Sequence, residues 1–259
     1  MSYLGQRDLL LAAAGVVPGW STIQKFGRAP DCDTDDPTDI WSRARATGGQ
    51  KLWLPPTQAR VHDIVSTDAA GAGARKIRIF GLTSWDALET SEDVELNGLT
   101  PVPTANAYVI IHRMFVIDSG VTSPPKGGNV GVISATAQTD GTVTAEIEAV
   151  FGQTLMAIYG IPSKQDFYLT QAYASVNRGT GTLANLLLEV IPAPDVNVNA
   201  TLTGGSVGYA NVGTSLWGHT WSPPRRVPGP AIVKVKAIAT SNGTDISAAF
   251  GGVLIEKGT

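Results

Sequence analysis

Cysteine is almost missing from this chain, and charge is sparse. Cys32 is the single cysteine among 259 residues, which excludes an intrachain disulfide framework and any cysteine-rich zinc site. Only 16% of the residues are charged and the formal net charge is −3, so no electrostatic capture of nucleic acid or of an anionic membrane is expected. Histidine occurs at His62, His112 and His219 only, with no H-x-x-x-H or H-E-x-x-H spacing to hold a metal. Neither a Walker loop nor a G-x-G-x-x-G fingerprint is present. The apolar run Leu9–Val17 is far shorter than the roughly 20 residues a spanning helix needs. Arg7 before it is offset by Asp8, and no convincing small-residue cleavage site precedes Pro18. The run reads as a short helix or arm packed on the body or on a neighbouring subunit.

Glycine (29) and proline (16) are plentiful, a mix that suits many short strands joined by turns. Residues 1–50 lack strand alternation and read as an N-terminal arm or irregular subdomain. From Lys51 the texture changes: "RVHDIVST", "RKIRIFGL", "AYVIIHRMFVID" and "GTVTAEIEAV" follow one another between turn residues. The stretch 51–150 reads as a first β domain and 151–259 as a second, sandwich-like one. The expected fold is all-β, with antiparallel β-sandwich or jelly-roll-like domains and an extended N-terminal arm.

One hairpin is legible residue by residue. In Ala74–Leu82, Lys76, Arg78 and Phe80 alternate with Ile77 and Ile79; in the second arm, Val94 and Leu96 alternate with Asp93, Glu95 and Asn97. A period of two gives each arm one apolar and one polar face, so the carboxylates should lie across from Lys76 and Arg78. Asn97-Gly98 and Ser241-Asn242-Gly243-Thr244 read as turns. Leu183–Ile191 reads as either strand or helix, ended by Pro192 and Pro194.

The search for chemistry yields weak signals. Asp31, Asp33 and Asp35 open like a calcium loop, but Asp36 stands where the turn glycine belongs and Ser42 where the last glutamate does. A solvated acidic loop, with Asp36 or Thr38 capping a short helix over "TDIWSRA", is the plainer reading, with calcium the alternative. "GGSVG" at 204–208 matches G-x-S-x-G formally, yet no helical pattern follows Ser206 and no Asp or Glu lies between it and His219, so a hydrolase is not expected. Glu146 and Glu148 share a strand face and read as its wet side. The sequons at Asn199 and Asn242 carry little weight without a secretory signal. Trp217, His219 and Trp221 are spaced two apart, so their rings share one strand face. With "SPPRRVPGP" after them they read as a structural or interface loop, a sugar platform being the alternative.

Several phrases together carry a resemblance. "DIWSRA", "LWLPPTQARVHDIVSTDAAGAGARKIRIFGL", "SEDVELNGLTPV", "GQTLMAIYGIPSKQDFYLTQAYASV" and "ISAAFGGVLIEKG" resemble the structural virion proteins of tailed bacteriophages, over roughly residues 39–257. The shared elements are a GxGAR-then-strand unit, an E-x-V-x-L-N-G strand and a turn at Tyr159–Lys164, where Ser163 replaces the glycine usual before the lysine. The resemblance implies an all-β, non-enzymatic virion protein made in the host cytoplasm, most like a capsid decoration, or cement, protein. Its partners would be the major capsid protein and two further copies in a homotrimer, with no cofactor. Trp20, Trp41, Trp217, His219, Trp221, Arg225 and Arg226 are then the candidate interface residues. A tail or fibre-attachment protein with a carbohydrate-binding loop at Trp217–Trp221 is the alternative.

Overall fold

The computed structural model describes residues 6–45, 49–69, 73–119, 128–177, 182–194, 205–213 and 216–258. The chain opens with α1 (Gln6–Ala13), β1 (Trp20–Cys32) and β2 (Thr38–Asp39). It continues through β3 (His62–Ser66), β4 (Ala74–Leu82), β5 (Thr90–Glu95), β6 (Val102–Pro103), β7 (Ile110–Ser119), β8 (Ile133–Ala137) and β9 (Val143–Ile147). The last group is β10 (Ile158–Ile161), β11 (Gln165–Val176), β12 (Ala184–Pro192), β13 (Gly205–Val212), β14 (Trp217–Pro228), β15 (Ala231–Ala239) and β16 (Thr244–Glu256). Every pairing among them is antiparallel.

Among the described residues four sheets result, and they divide the chain in an order the sequence does not announce. The first is ordered β1-β16-β11-β14; the second is β10-β15-β12-β13, with β2 also on β15. These two combine the start of the chain with its end. The others, β6-β3-β8-β9 and β5-β4-β7, come wholly from residues 62–147. The middle of the chain is therefore inserted between β2 and β10, and one continuous apolar core runs through all four sheets. Phe167 and Phe250 meet edge to face within it at 6.2 Å between centroids. Full burial of each such ring stabilises by about 2–3 kcal/mol.

The legible hairpin forms as its pattern requires. Lys76 faces Glu95, Ile77 faces Val94 and Arg78 faces Asp93; Ile77 and Ile79 are buried, and the ion pairs close at 3.1 Å and 2.6 Å. Gly98 and Gly243 have φ of 58° and 65°, the left-handed conformation that favours glycine in tight turns. Leu183–Ile191 resolves as strand, in β12.

Residues 20–45 correct the expected arm. Trp20–Cys32 is a 13-residue strand along β16, and Thr38–Asp39 pairs with β15 instead of capping a helix. The alternation is present but inverted in polarity. Lys25, Gly27 and Ala29 face inward while Gln24, Phe26 and Arg28 face outward, so the apolar pattern that betrays a half-buried strand never appears. Only α1 precedes this strand among the described residues, with Ala12 buried and Leu10 exposed.

Candidate interaction surface

The aromatic triplet lies on β14, which is an edge strand rather than the expected loop. Leu169 faces Arg225 whereas Gln171 faces Thr220, so Trp221, Ser222, Pro223 and Pro224 bulge out of register. Prolines and bulges at an edge block further strand addition. The rings do share a face: Trp217 and His219 stack at 6.0 Å with 8° between planes, and His219 meets Trp221 edge-on at 4.5 Å. Trp221 leans over Gly208 of β13, where an added Cβ would sit 3.4 Å from the indole. Trp217 and Trp221 thus close the mouth between two sheets, over a cavity of about 30 Å³ lined by Leu186, Leu188 and Ala210. His219 stays exposed.

Beside this mouth the outer face of the first sheet forms a trough. Phe26, Ala249, Tyr173 and Gly218 lie in one row across four strands, because each pairs with the next. Ala249, between Phe26 and Tyr173, leaves a low floor. Leu216 and Phe151 rise at its margins, 75% and 42% exposed, and Phe26 is 43% exposed. The groove they enclose has a volume of about 380 Å³. Arg28 crosses its end, forked onto Asp245 at 2.8 and 3.0 Å, paired with Glu148 at 3.2 Å, and 5.7 Å from the Phe151 ring. The Asp245 hydrogen bonds hold that guanidinium above its ordinary pKa, against its partial burial. None of Phe26, Phe151, Tyr173 or Leu216 stood out in the sequence. The inverted β1 hid the first, and the others come from separate segments that only the fold brings together.

The remaining sequence candidates scatter. Trp41 is core, 1% exposed, its indole N–H donating to the Gln50 carbonyl at 3.0 Å, so it is no interface residue within this chain's free surface. Trp20 is half-buried at the start of β1, the opposite edge of the sheet from Trp217. Arg225 and Arg226 are exposed on β14 beyond its bulge, and Arg226 pairs with Asp166 at 2.7 Å. Asp31 and Asp33 both pair with Lys51, and Asp33 also accepts the Gly243 N–H at 3.0 Å; that backbone bond first, then Lys51, holds its carboxyl below the usual range. Asp35 is exposed. Among the described residues no three His, Cys, Asp or Glu converge as a metal site. Cys32 is buried, which pushes its thiol up to about 12. Asn199 lies outside the described residues, and Ser206 sits on the strand β13.

Glu146 corrects a second expectation. Its side chain is fully buried, not wet, held by Arg43 at 2.7 Å and by Arg45. Glu148 lies beyond the strand, on Arg28. His112 is buried as expected, but its surroundings are richer than a bland strand position. Its Nε2 bonds Glu89 at 2.5 Å, its ring lies 4.4 Å from Tyr159, and Lys25 donates to its carbonyl. These residues line a cleft of about 190 Å³. Burial, chiefly, with the nearby Arg113 charge, lowers Lys25 to about 7. Burial likewise lowers His112, and its Nδ1 has no partner, which fits a neutral ring donating from Nε2.

No family model and no curated protein sequence matches the chain. Two solved structures of infectious bursal disease virus are similar at low level. The Gx strain structure shares 10% identity over 92% of this chain and 72% of that one, with a TM-score of 0.23. The Gt strain structure shares 11% identity over 96% and 78%, again with a TM-score of 0.23. A likeness of that extent does not establish a common fold.

Proposed function

We propose that this chain is a non-enzymatic structural protein of a tailed-bacteriophage virion, a decoration protein that binds the major capsid protein and stabilises the head shell as a homotrimer. The observation that carries the reading is the trough of Phe26, Tyr173, Phe151 and Leu216. Exposed apolar patches of this kind mark protein interfaces, which supports docking on a protein neighbour. The sequence resemblance to virion proteins supplies the kind of partner. Low charge suits a neighbour that is protein rather than nucleic acid.

Copy number in purified particles, measured against the major capsid protein, tests the placement. Shell sites recur on the order of hundreds of times, whereas a tail ring holds roughly a dozen copies or fewer. The surface is tested by Leu216→Asp combined with Phe26→Asp, which should abolish binding to empty shells while leaving the circular dichroism spectrum unchanged. The stack of half-buried Trp217 on exposed His219 favours a second reading, tail attachment through a carbohydrate. Low copy number together with host-polysaccharide binding lost in Trp217→Ala would select it.

A further inference from the structure

Four charged side chains meet on one face of the second sheet. Glu189 on β12 faces Lys234 on β15, and Asp39 on β2 faces Lys236 on the other side of β15. Alternation puts Lys234 and Lys236 on the same face, so the two carboxylates flank the lysines from both neighbouring strands. Lys234 Nζ lies 2.7 Å from Asp39 Oδ2 and 3.9 Å from Glu189 Oε2. Side-chain exposure is 3% for Lys234, 0% for Asp39 and 8% for Glu189. Lys236 occupies the other Glu189 oxygen at 3.0 Å, and the Trp53 N–H donates to Asp39 Oδ2 at 2.8 Å. Asp39 Oδ1 and Glu189 Oε2 are buried with no hydrogen-bond partner.

As a plain ion pair this is poorly made. Desolvating two charges costs several kcal/mol each, and only well-satisfied lone pairs offset it. Two unpartnered carboxylate oxygens leave that cost standing. Joining the two groups as an amide removes both charges from the interior. Burial does raise the Asp39 carboxyl above its ordinary range, against the pull of Lys234 and the hydrogen bonds to it. The Lys234 amine and the Asp39 acid are the reactants for an amide, held in contact where water is excluded.

We propose that Lys234 and Asp39 become joined by an intramolecular isopeptide bond, with Glu189 relaying the proton. The Lys234 nitrogen lone pair attacks Asp39 Cγ, forming the C–N bond of a tetrahedral intermediate. Oδ2, already held by the Trp53 N–H, carries the developing negative charge and remains as the amide oxygen. Glu189, whose Oε2 lies 3.9 Å from the nitrogen, takes protons from it, and two of the three ammonium hydrogens end on Oδ1, which leaves as water. One lysine hydrogen stays on the amide nitrogen, and Glu189 ends as it began. No oxidant, metal or cofactor takes part. Holding amine and acid at contact supplies the effective concentration that makes amide formation feasible in a dry site.

The measurement is the mass of the intact, unfolded wild-type chain, followed by tandem mass spectrometry of its proteolytic fragments. The expected result is a mass one water below the sequence value, and a branched peptide joining the Asp39 and Lys234 segments. A Glu189→Ala chain, checked as folded by circular dichroism, should regain that water and lose the branched peptide. Asp39→Asn should release ammonia in place of water and give the same branch. A full-length mass equal to the sequence value overturns the proposal. So does a missing water without the branched peptide, because cyclisation at Asp140-Gly141 would also lose one.

Discussion

His62 has its imidazole inside the protein with one hydrogen bond, from Nδ1 to the Arg60 carbonyl at 2.9 Å, and a buried Nε2 without a partner. Charging the ring would bury an unmatched N–H, so burial lowers its pKa to about 4 from the ordinary 6.5. The unfolded chain then binds the extra proton between those values, and stability falls as pH drops from 6.5 towards 4. His62→Phe should flatten that part of the pH profile by on the order of 3 kcal/mol, read from urea midpoints at pH 7 and pH 4. Glu146 gives a prediction of opposite chemistry. Glu146→Ala leaves Arg43 and Arg45 facing each other over a vacated buried site and should cost about 3 kcal/mol in thermal or urea unfolding, with Glu146→Gln costing less. Neither role was readable beforehand. Glu146 follows Thr144 and Ala145 in an ordinary alternating strand, and its arginine partners lie about a hundred positions upstream, on a segment without a visible pattern.

The same contrast holds for whole elements. The Ala74–Leu82 hairpin was legible because each arm puts branched apolar residues on one face and charges on the other, and a two-residue period has one reading. β1 was not, since its inward positions are Lys25, Gly27 and Ala29. Gly27 explains part of that inversion. A Cβ there would sit 2.5 Å from the Ala157 nitrogen and from the Ile40 carbonyl oxygen, both backbone atoms. β1 therefore approaches the 155–157 segment closer than any side chain allows. Gly27→Ala should push the strand out and destabilise by about 3 kcal/mol, measured as a lowered urea midpoint at unchanged slope. The shared face of Trp217, His219 and Trp221 could be read from their spacing alone. The trough beside them required Phe26, Phe151, Tyr173 and Leu216 from four segments, a grouping that no local pattern encodes.

At the scale of the molecule, all-β character, antiparallel pairing and most strands after residue 51 could be read from composition and turn residues. The order of assembly could not, because sheet topology depends on which distant edges meet rather than on any local preference. The chain returns to its beginning: β16 lies along β1 from Trp20↔Ile255 to Cys32↔Thr244, and β15 along β2. If the isopeptide bond forms, it ties the same two regions together, closing a separation of 195 positions and restricting the unfolded chain accordingly.

That pairing of first strand with last also sets a timetable. During synthesis β1 emerges early and has no partner until Thr244–Glu256 has been made, whereas residues 62–147 contain every strand of their own two sheets. The middle sheets can close on the ribosome; the outer sandwich has to wait until β16 has been made. Pulse-labelling hydrogen exchange during refolding should show the β4–β7 amides protected before those of β1, since long-range pairings are the slow ones. Until then the strand with the outward-facing Phe26 is an unpaired edge, and nascent chains stalled before residue 244 should be the species that aggregates.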